Sequence, residues 1–193
     1  MPFPEPAAVL ASRNAHKARE LELLLPGWMI EPLEADDYPP ETGSTYYENA
    51  RAKALHGART GRWSIGEDSG IEVAALDGRP GIHSARYAPE GLPAIRKLLG
   101  ELDGSEDRRA RYVSELVAVS PEGEEFRGTG ILTGRIAIDA RGSEGFGYDP
   151  VFVPDGEERT VSELGDAWKS RHSHRARAAR ALRDAVERHG VGA

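Results

Sequence analysis

Apolar residues in this chain fall into short runs divided by polar turns, and their period changes along its length. AAVLA (7–11) is a continuous run of strand length. From Lys17 to Leu25 the period becomes helical, with Ala18, Leu21, Leu24 and Leu25 on one face, and Pro26-Gly27 closes the segment. WMIEPL (28–33) suits a second strand. After the loop EADDYPPETGS, a helix is expected from about Tyr46 to Arg59, with Thr45 and Glu48 spaced as a capping box. WSIGED (63–68) and IEVAAL (71–76) are two strand candidates, and LDGRPG (76–81) is turn chemistry. Leu92, Ile95, Leu98, Leu99 and Leu102 mark a third helix. RYVSELVAVS and EFRGTGILTGRIAI flank PEGE as a hairpin. SEGFGYDP (143–150) is a glycine-rich loop before the strand VFV, and a last helix runs from about Ser173 to His189, with Gly190 as its stop. Strands and helices mix throughout, which predicts an α/β layered fold with a mixed sheet.

Composition narrows this picture. A chain of 193 residues, 39% hydrophobic, suits one domain over 1–193 and has too much apolar content for a disordered chain. No apolar run is long enough for a membrane helix. The start, MPFPEPAAVLASRN, lacks the basic region and apolar length of a signal peptide. Zero cysteines exclude disulfides and thiolate metal sites, and a cytoplasmic location is expected. The net charge of −7 argues against general attraction to nucleic acid or anionic membrane. Any anion site must therefore be built locally.

Four stretches carry candidate chemistry. In ASRNAHKARE (11–20), Ser12 and Asn14 are capping residues, but Lys17 in the first helical turn opposes the helix dipole. Either an anion binds there or Lys17 points to solvent beside Glu20 or Glu22. The acids Glu41, Glu67 and Asp68 are a second set. Successive strand residues face opposite ways, so Glu67 and Asp68 can share one site only if the strand ends at Ser69-Gly70. Magnesium takes one or two carboxylates plus substrate phosphates, and a nearby carboxylate can accept a proton from water. Otherwise Glu67 is an exposed strand-end acid and Asp68 a turn former. In GFGYDP (145–150), Phe146 or Tyr148 either stacks on a base or packs in the core. In KSRHSHRARAARALR (169–183), His174 and Arg175 open a helix against its dipole, whereas Arg177, Arg180 and Arg183 read as a solvated face.

Taken together, these motifs resemble the inosine/xanthosine triphosphate pyrophosphatase family. The resemblance runs from about Ala7 to Ala178, through SRNAHK (12–17), ETG (41–43), ENARAKA (48–54), EDSGIEV (67–73), LDGRPGIHSARYA (76–88), GFGYDP (145–150), TVSEL (160–164) and SHRARA (173–178). It implies an elongated α/β fold, a central mixed β-sheet with flanking helices forming two lobes around a nucleotide cleft, and a homodimer. It implies Mg²⁺-dependent hydrolysis of ITP, dITP or XTP to the monophosphate and pyrophosphate. Carried onto this chain, the loop of Ser12, Arg13, Asn14, Ala15, His16 and Lys17 would hold the phosphates, helped by Lys53. Asp68 would be the general base and share the magnesium with Glu41, with Glu67 a further candidate ligand. Ser69 would contact the substrate. Phe146, Gly147, Tyr148 and Asp149 would line the base pocket. Lys169, His174 and Arg175 would complete it, the last two reading the 6-oxo face. Arg86 would reach the ligand or the dimer partner.

Some positions depart from the family pattern. Arg13 and His16 stand where glycines are common, Glu67 where an aspartate is frequent in bacterial members, His83 where a tyrosine is common, and Trp168 where an acid is usual. Two other readings compete. One is a Maf-like pyrophosphatase acting on pyrimidine or modified nucleotides, against which the SHR block and GFGYDP argue. The other is a non-catalytic nucleotide- or nucleic-acid-binding protein using the basic C-terminal helix, against which the net charge and the Glu41/Asp68 pair argue.

Overall fold

A computed structural model describes residues 7–12 and 14–190. Its strands and helices follow in the order β1 (Ala7–Ala11), α1 (Ala15–Leu24), β2 (Met29–Pro32), α2 (Tyr46–Ala58), β3 (Trp63–Val73), α3 (Leu92–Glu101), β4 (Arg109–Val119), β5 (Glu125–Ile136), β6 (Phe152–Pro154), α4 (Val161–Leu164), α5 (Asp166–His172) and α6 (His174–Gly190). One six-stranded sheet is hydrogen-bonded in the order β2-β1-β3-β4-β5-β6. β1 pairs parallel with β2 and with β3, whereas β5 pairs antiparallel with β6, so the sheet is mixed, as the sequence pattern predicts. Among the described residues no helix is long and apolar enough to cross a membrane.

The chain forms two compact units. The first comprises the residues up to Asp68, Ser114–Gly130 and the residues from Arg175 onward; the second comprises Ser69–Val113 and Ile131–His174. Each has its own core. In the first, Leu10, Leu21, Leu25, Ile65, Leu116, Ala178 and Leu182 are buried together, and Ala50, Ala54, Val117 and Val119 form a smaller cluster. In the second, Ile71, Leu98, Leu102, Tyr112, Ile136, Tyr148 and Phe152 do the same.

One expectation needs correction. The strand does not end at Ser69-Gly70: β3 is continuous from Trp63 to Val73, and a 3₁₀ turn at Ala74–Leu76 replaces the end of the second expected strand. Small residues do not by themselves end a strand. The glycine before the acids has a different purpose. A Cβ on Gly66 would stand 2.0 Å from the Ala50 carbonyl oxygen and 2.6 Å from the Ala54 nitrogen. Only glycine lets α2 lie this close to β3. The two acids therefore emerge on a rigid strand with a helix pressed against it.

β5 alternates buried and exposed residues without exception, the signature of a strand with one covered face. Gly128 on its covered face lies under α6, where a Cβ would fall 2.2 Å from the Ala178 carbonyl oxygen.

Candidate active site

Consider the first unit. Asn14 caps α1, its side-chain oxygen accepting from the His16 and Lys17 amides at 3.0 and 3.1 Å, while the Ser12 hydroxyl accepts from the Asn14 amide at 3.2 Å. Arg13 lies outside the described residues. His16 is exposed, and Ala15 is the first residue of α1. The cap leaves Lys17 in the first turn, where it opposes the dipole. Its compensation is neither solvent nor Glu20 nor Glu22: Lys17 Nζ sits 2.7 Å from Glu67 Oε2.

Glu67 is fully buried. Its other oxygen, Oε1, accepts from Arg175 Nη2 and Nε at 3.1 and 3.2 Å and from the Ser114 hydroxyl at 3.4 Å. Burial pushes this carboxyl up, but the charges of Lys17 and Arg175 outweigh burial and hold it well below the usual carboxylate range. Arg175 is buried as well and also pairs with Glu20. Glu67 is thus a buried carboxylate held ionised by two cations.

Asp68, one residue on, meets different partners, as the strand period requires. Asn49 Nδ2 on α2 donates to Asp68 Oδ2 at 2.9 Å, and Asn49 Oδ1 accepts from the Gly43 amide at 2.9 Å. Lys53, one turn further along α2, lies 3.8 Å from Asp68 Oδ1, donates to the Glu67 carbonyl at 3.0 Å and pairs with Glu41. Helix α2 is anchored by the expected capping box: Thr45 Oγ1 accepts from the Glu48 amide and Glu48 accepts from the Thr45 amide. Asp68 is buried, and the cation beside it, Lys53, is shared with Glu41. Burial drives its carboxyl up, Lys53, Lys17 and Asn49 draw it down, and the balance leaves it at about 6. That is the range in which a carboxylate can trade protons near neutral pH.

The donor set can be compared with what a cation needs. Among the described residues there is no group of three or more His, Asp or Glu side chains poised to hold a metal. A hard divalent ion that completes its shell with substrate phosphates needs only one or two carboxylates. Glu41 and Asp68, which both flank the Lys53 ammonium, fit that requirement. Glu67 has both oxygens committed to Lys17 and Arg175.

The second unit holds the other group. In GFGYDP, Gly145 has φ +79°, and a Cβ there would fall 2.3 Å from Asp149 Oδ2, so the loop closes on this carboxylate only with glycine. Asp149 is buried and accepts from Lys169 Nζ at 2.8 Å, from the Phe146 amide at 2.9 Å and from the Tyr112 hydroxyl at 3.3 Å. The Lys169 ammonium lies 4.5 Å from the centroid of the half-buried Phe146 ring. Tyr148 is in the core, donates to the Ser84 carbonyl at 3.1 Å, and is pushed up to about 12 by burial. Gly147 has φ +62°. His174, at the start of α6, is buried and stacked on Tyr112. Ser69 is half-buried on β3, and Arg86 is exposed at the end of the 3₁₀ segment Gly81–Arg86.

The structure thus gathers Lys17, Glu41, Lys53, Glu67, Asp68 and Arg175 in the first unit and Phe146, Asp149, Lys169 and His174 in the second. The sequence does not single out Asn49, Ser114 or Tyr112, and Glu20, expected beside Lys17, pairs with Arg175 instead. Asn49 lies inside the ENARAKA block and was within reach; Ser114 and Tyr112 are recognisable only through partners distant in the chain.

The sequence pattern of the Ham1 family matches residues 8–185. The chain belongs to the Ham1 family. Among curated relatives, the dITP/XTP pyrophosphatase of Deinococcus radiodurans is 46% identical over 181 residues, covering 90% of each chain. The dITP/XTP pyrophosphatase of Deinococcus deserti is 44% identical over 184 residues, covering 92% of this chain and 88% of the relative. The solved structure of the Staphylococcus aureus Ham1 protein superposes with a TM-score of 0.84 at 36% identity, over 95% of this chain and 99% of that one. The Ham1 family membership bears out the resemblance read from the motif blocks, and the solved structure bears out the mixed α/β fold.

Proposed function

We propose that this chain is a nucleoside triphosphate pyrophosphatase that hydrolyses ITP, dITP or XTP to the monophosphate and pyrophosphate. The observation that carries the chemistry is Asp68: a buried carboxylate on β3, 3.8 Å from the Lys53 ammonium that also pairs with Glu41, and pushed up to about 6 by burial. The names of the relatives support the substrate class.

In this reading Asp68 accepts the proton of the attacking water as the new phosphorus–oxygen bond forms, and the anhydride bond breaks to release pyrophosphate. Lys17 and Lys53 neutralise phosphate charge, with Ser12, Asn14 and the start of α1 nearby. Asn49 holds the Asp68 carboxylate in one orientation. Glu41 and Asp68 would hold Mg²⁺, which when bound adds positive charge against the phosphates. Glu67 keeps Lys17 and Arg175 in place rather than reacting. In the second unit, Phe146, Asp149, Lys169 and His174 would recognise the base. Donors set for a purine 6-oxo group would be left unpaired by the 6-amino group of adenine, which is costly in a buried site. A homodimer, on the resemblance alone, and a cytoplasmic location, on the lack of cysteine, complete the reading.

The direct test is Asp68→Asn with product analysis. The reading expects turnover to fall at least about a hundredfold while nucleotide binding persists. Unchanged turnover would remove Asp68 as the base.

A further inference from the structure

Tyr112 enters the sequence pattern as one more apolar position on a strand, and the proposed chemistry makes no use of it. Its surroundings are unusual for such a residue. The side chain is 6% exposed, on β4 in the second unit. One ring face lies flat on the His174 imidazole, with centroids 4.4 Å apart and planes 10° from parallel. The Phe152 ring meets it at 4.5 Å with a 41° tilt and limits its rotation. Its hydroxyl donates to Asp149 Oδ1 at 3.3 Å, leaving Asp149 Oδ2 to Lys169 and to the Phe146 amide.

One side chain therefore touches both parts of the second unit's polar group. A parallel stack fixes the plane of an imidazole without consuming either ring nitrogen. A hydroxyl on one carboxylate oxygen fixes the rotation of that carboxylate while the other oxygen keeps its ammonium and amide. A leucine or valine would do neither.

We propose that Tyr112 is a positioning residue for base recognition: its ring sets the plane of His174 and its hydroxyl sets the carboxylate of Asp149. The inference rests on reading His174 and Asp149 as base-recognising groups, and it adds the residue that governs their geometry. The two functions separate by substitution. Tyr112→Phe keeps the stack and loses the hydroxyl. Tyr112→Leu loses both.

The test compares pyrophosphate release from ITP and from ATP by the wild type, Tyr112→Phe, Tyr112→Leu and His174→Ala. Tyr112→Phe is expected to raise KM for ITP about three- to tenfold with kcat within about twofold, because the lost bond to a charged acceptor belongs to the group read as holding the base, not the phosphates. Tyr112→Leu is expected to lower the ITP-over-ATP ratio of kcat/KM about tenfold. A wild-type ratio in a folded Tyr112→Leu protein, as judged by circular dichroism, overturns the proposal. His174→Ala reports on the underlying reading. If it keeps the ratio, base recognition by His174 is wrong; if it loses the ratio while Tyr112→Leu does not, only the Tyr112 proposal fails. NMR supplies a readout without turnover. The His174 ring protons should be shifted upfield by the Tyr112 ring current in the wild type and in Tyr112→Phe. Absence of that shift in both contradicts the positioning role, and this arm decides the matter even if Tyr112→Leu does not fold.

Discussion

Asp68→Asn should make the protein more stable at pH 8 while impairing it as an enzyme. The structure gives the sign. Asp68 moves from 3.8 to about 6 on folding, chiefly because burial penalises its charged form. A carboxyl raised on folding binds its proton more tightly in the native state. It therefore adds nothing to stability below its unfolded value, erodes stability as pH rises through the window from 3.8 to about 6, and leaves the full cost above it. A difference of about two pH units corresponds to about 3 kcal/mol. Asparagine keeps the shape, and its oxygen can accept the Asn49 bond. Lys53 keeps the Glu41 carboxylate and the Glu67 carbonyl. Removing the charge should thus recover about 2–3 kcal/mol at pH 8 and nearly nothing at pH 4. The assay is urea unfolding of wild type and variant at both pH values, with EDTA present so that no divalent ion stabilises the carboxylate. A variant less stable than wild type at pH 8, or a gain equal at both pH values, would refute the claim that Asp68 is a carboxylate strained by burial.

Other consequences follow from the same geometry. Glu67→Gln leaves Lys17 and Arg175 buried without their shared anion, and should cost about 3–5 kcal/mol in urea unfolding at pH 7; a loss below about 1 kcal/mol would contradict the buried hub. The stabilisation from Glu67 should persist above the ordinary carboxylate range and fade as pH falls below it, opposite in sense to Asp68. If Asp68 is the base, kcat/KM measured against pH should fall below about 6 and level off above it. Asn49→Ala should move that acidic limb to higher pH, since the lost hydrogen bond favours the charged carboxylate. Gly66→Ala should lower the melting temperature and turnover together, because the new methyl meets the α2 backbone that carries Asn49 and Lys53; a neutral result would show that α2 can yield.

Local signals were the legible part of this molecule. The Thr45/Glu48 box and the Asn14 cap are written in nearby residues: α2 starts at Tyr46 as expected, and α1 starts at Ala15, directly after its cap and two residues before the expected Lys17. The alternation in EFRGTGILTGRI names the covered face of β5. The continuity of β3 was not legible, because Ser69-Gly70 looks like punctuation in the sequence, yet β3 runs through it to Val73. The anomaly at Lys17 was visible as a charge against a dipole, but its cause is a carboxylate 50 positions away in the chain. Likewise His174 and Arg175 looked alike as cations opening a helix. The structure sends Arg175 to Glu67 and Glu20 in the first unit and His174 to Tyr112 in the second. Pairing between distant segments is a property of topology, and periodicity does not carry it. Two adjacent acids with opposite proton affinities are the clearest instance. The pattern places them on opposite sides of a strand, but only the partners decide that Glu67 is held ionised and Asp68 is left near 6.

Specific hydrolysis of non-canonical purine triphosphates is tested most directly by product analysis. Pyrophosphate and free phosphate should be quantified in parallel from ITP, dITP, XTP, ATP, GTP and TTP, with and without Mg²⁺. The account predicts magnesium-dependent pyrophosphate, with monophosphate, from ITP, dITP and XTP, and little from the other three. Free phosphate as the primary product, equal turnover of ATP or TTP, or no turnover of any substrate would contradict it.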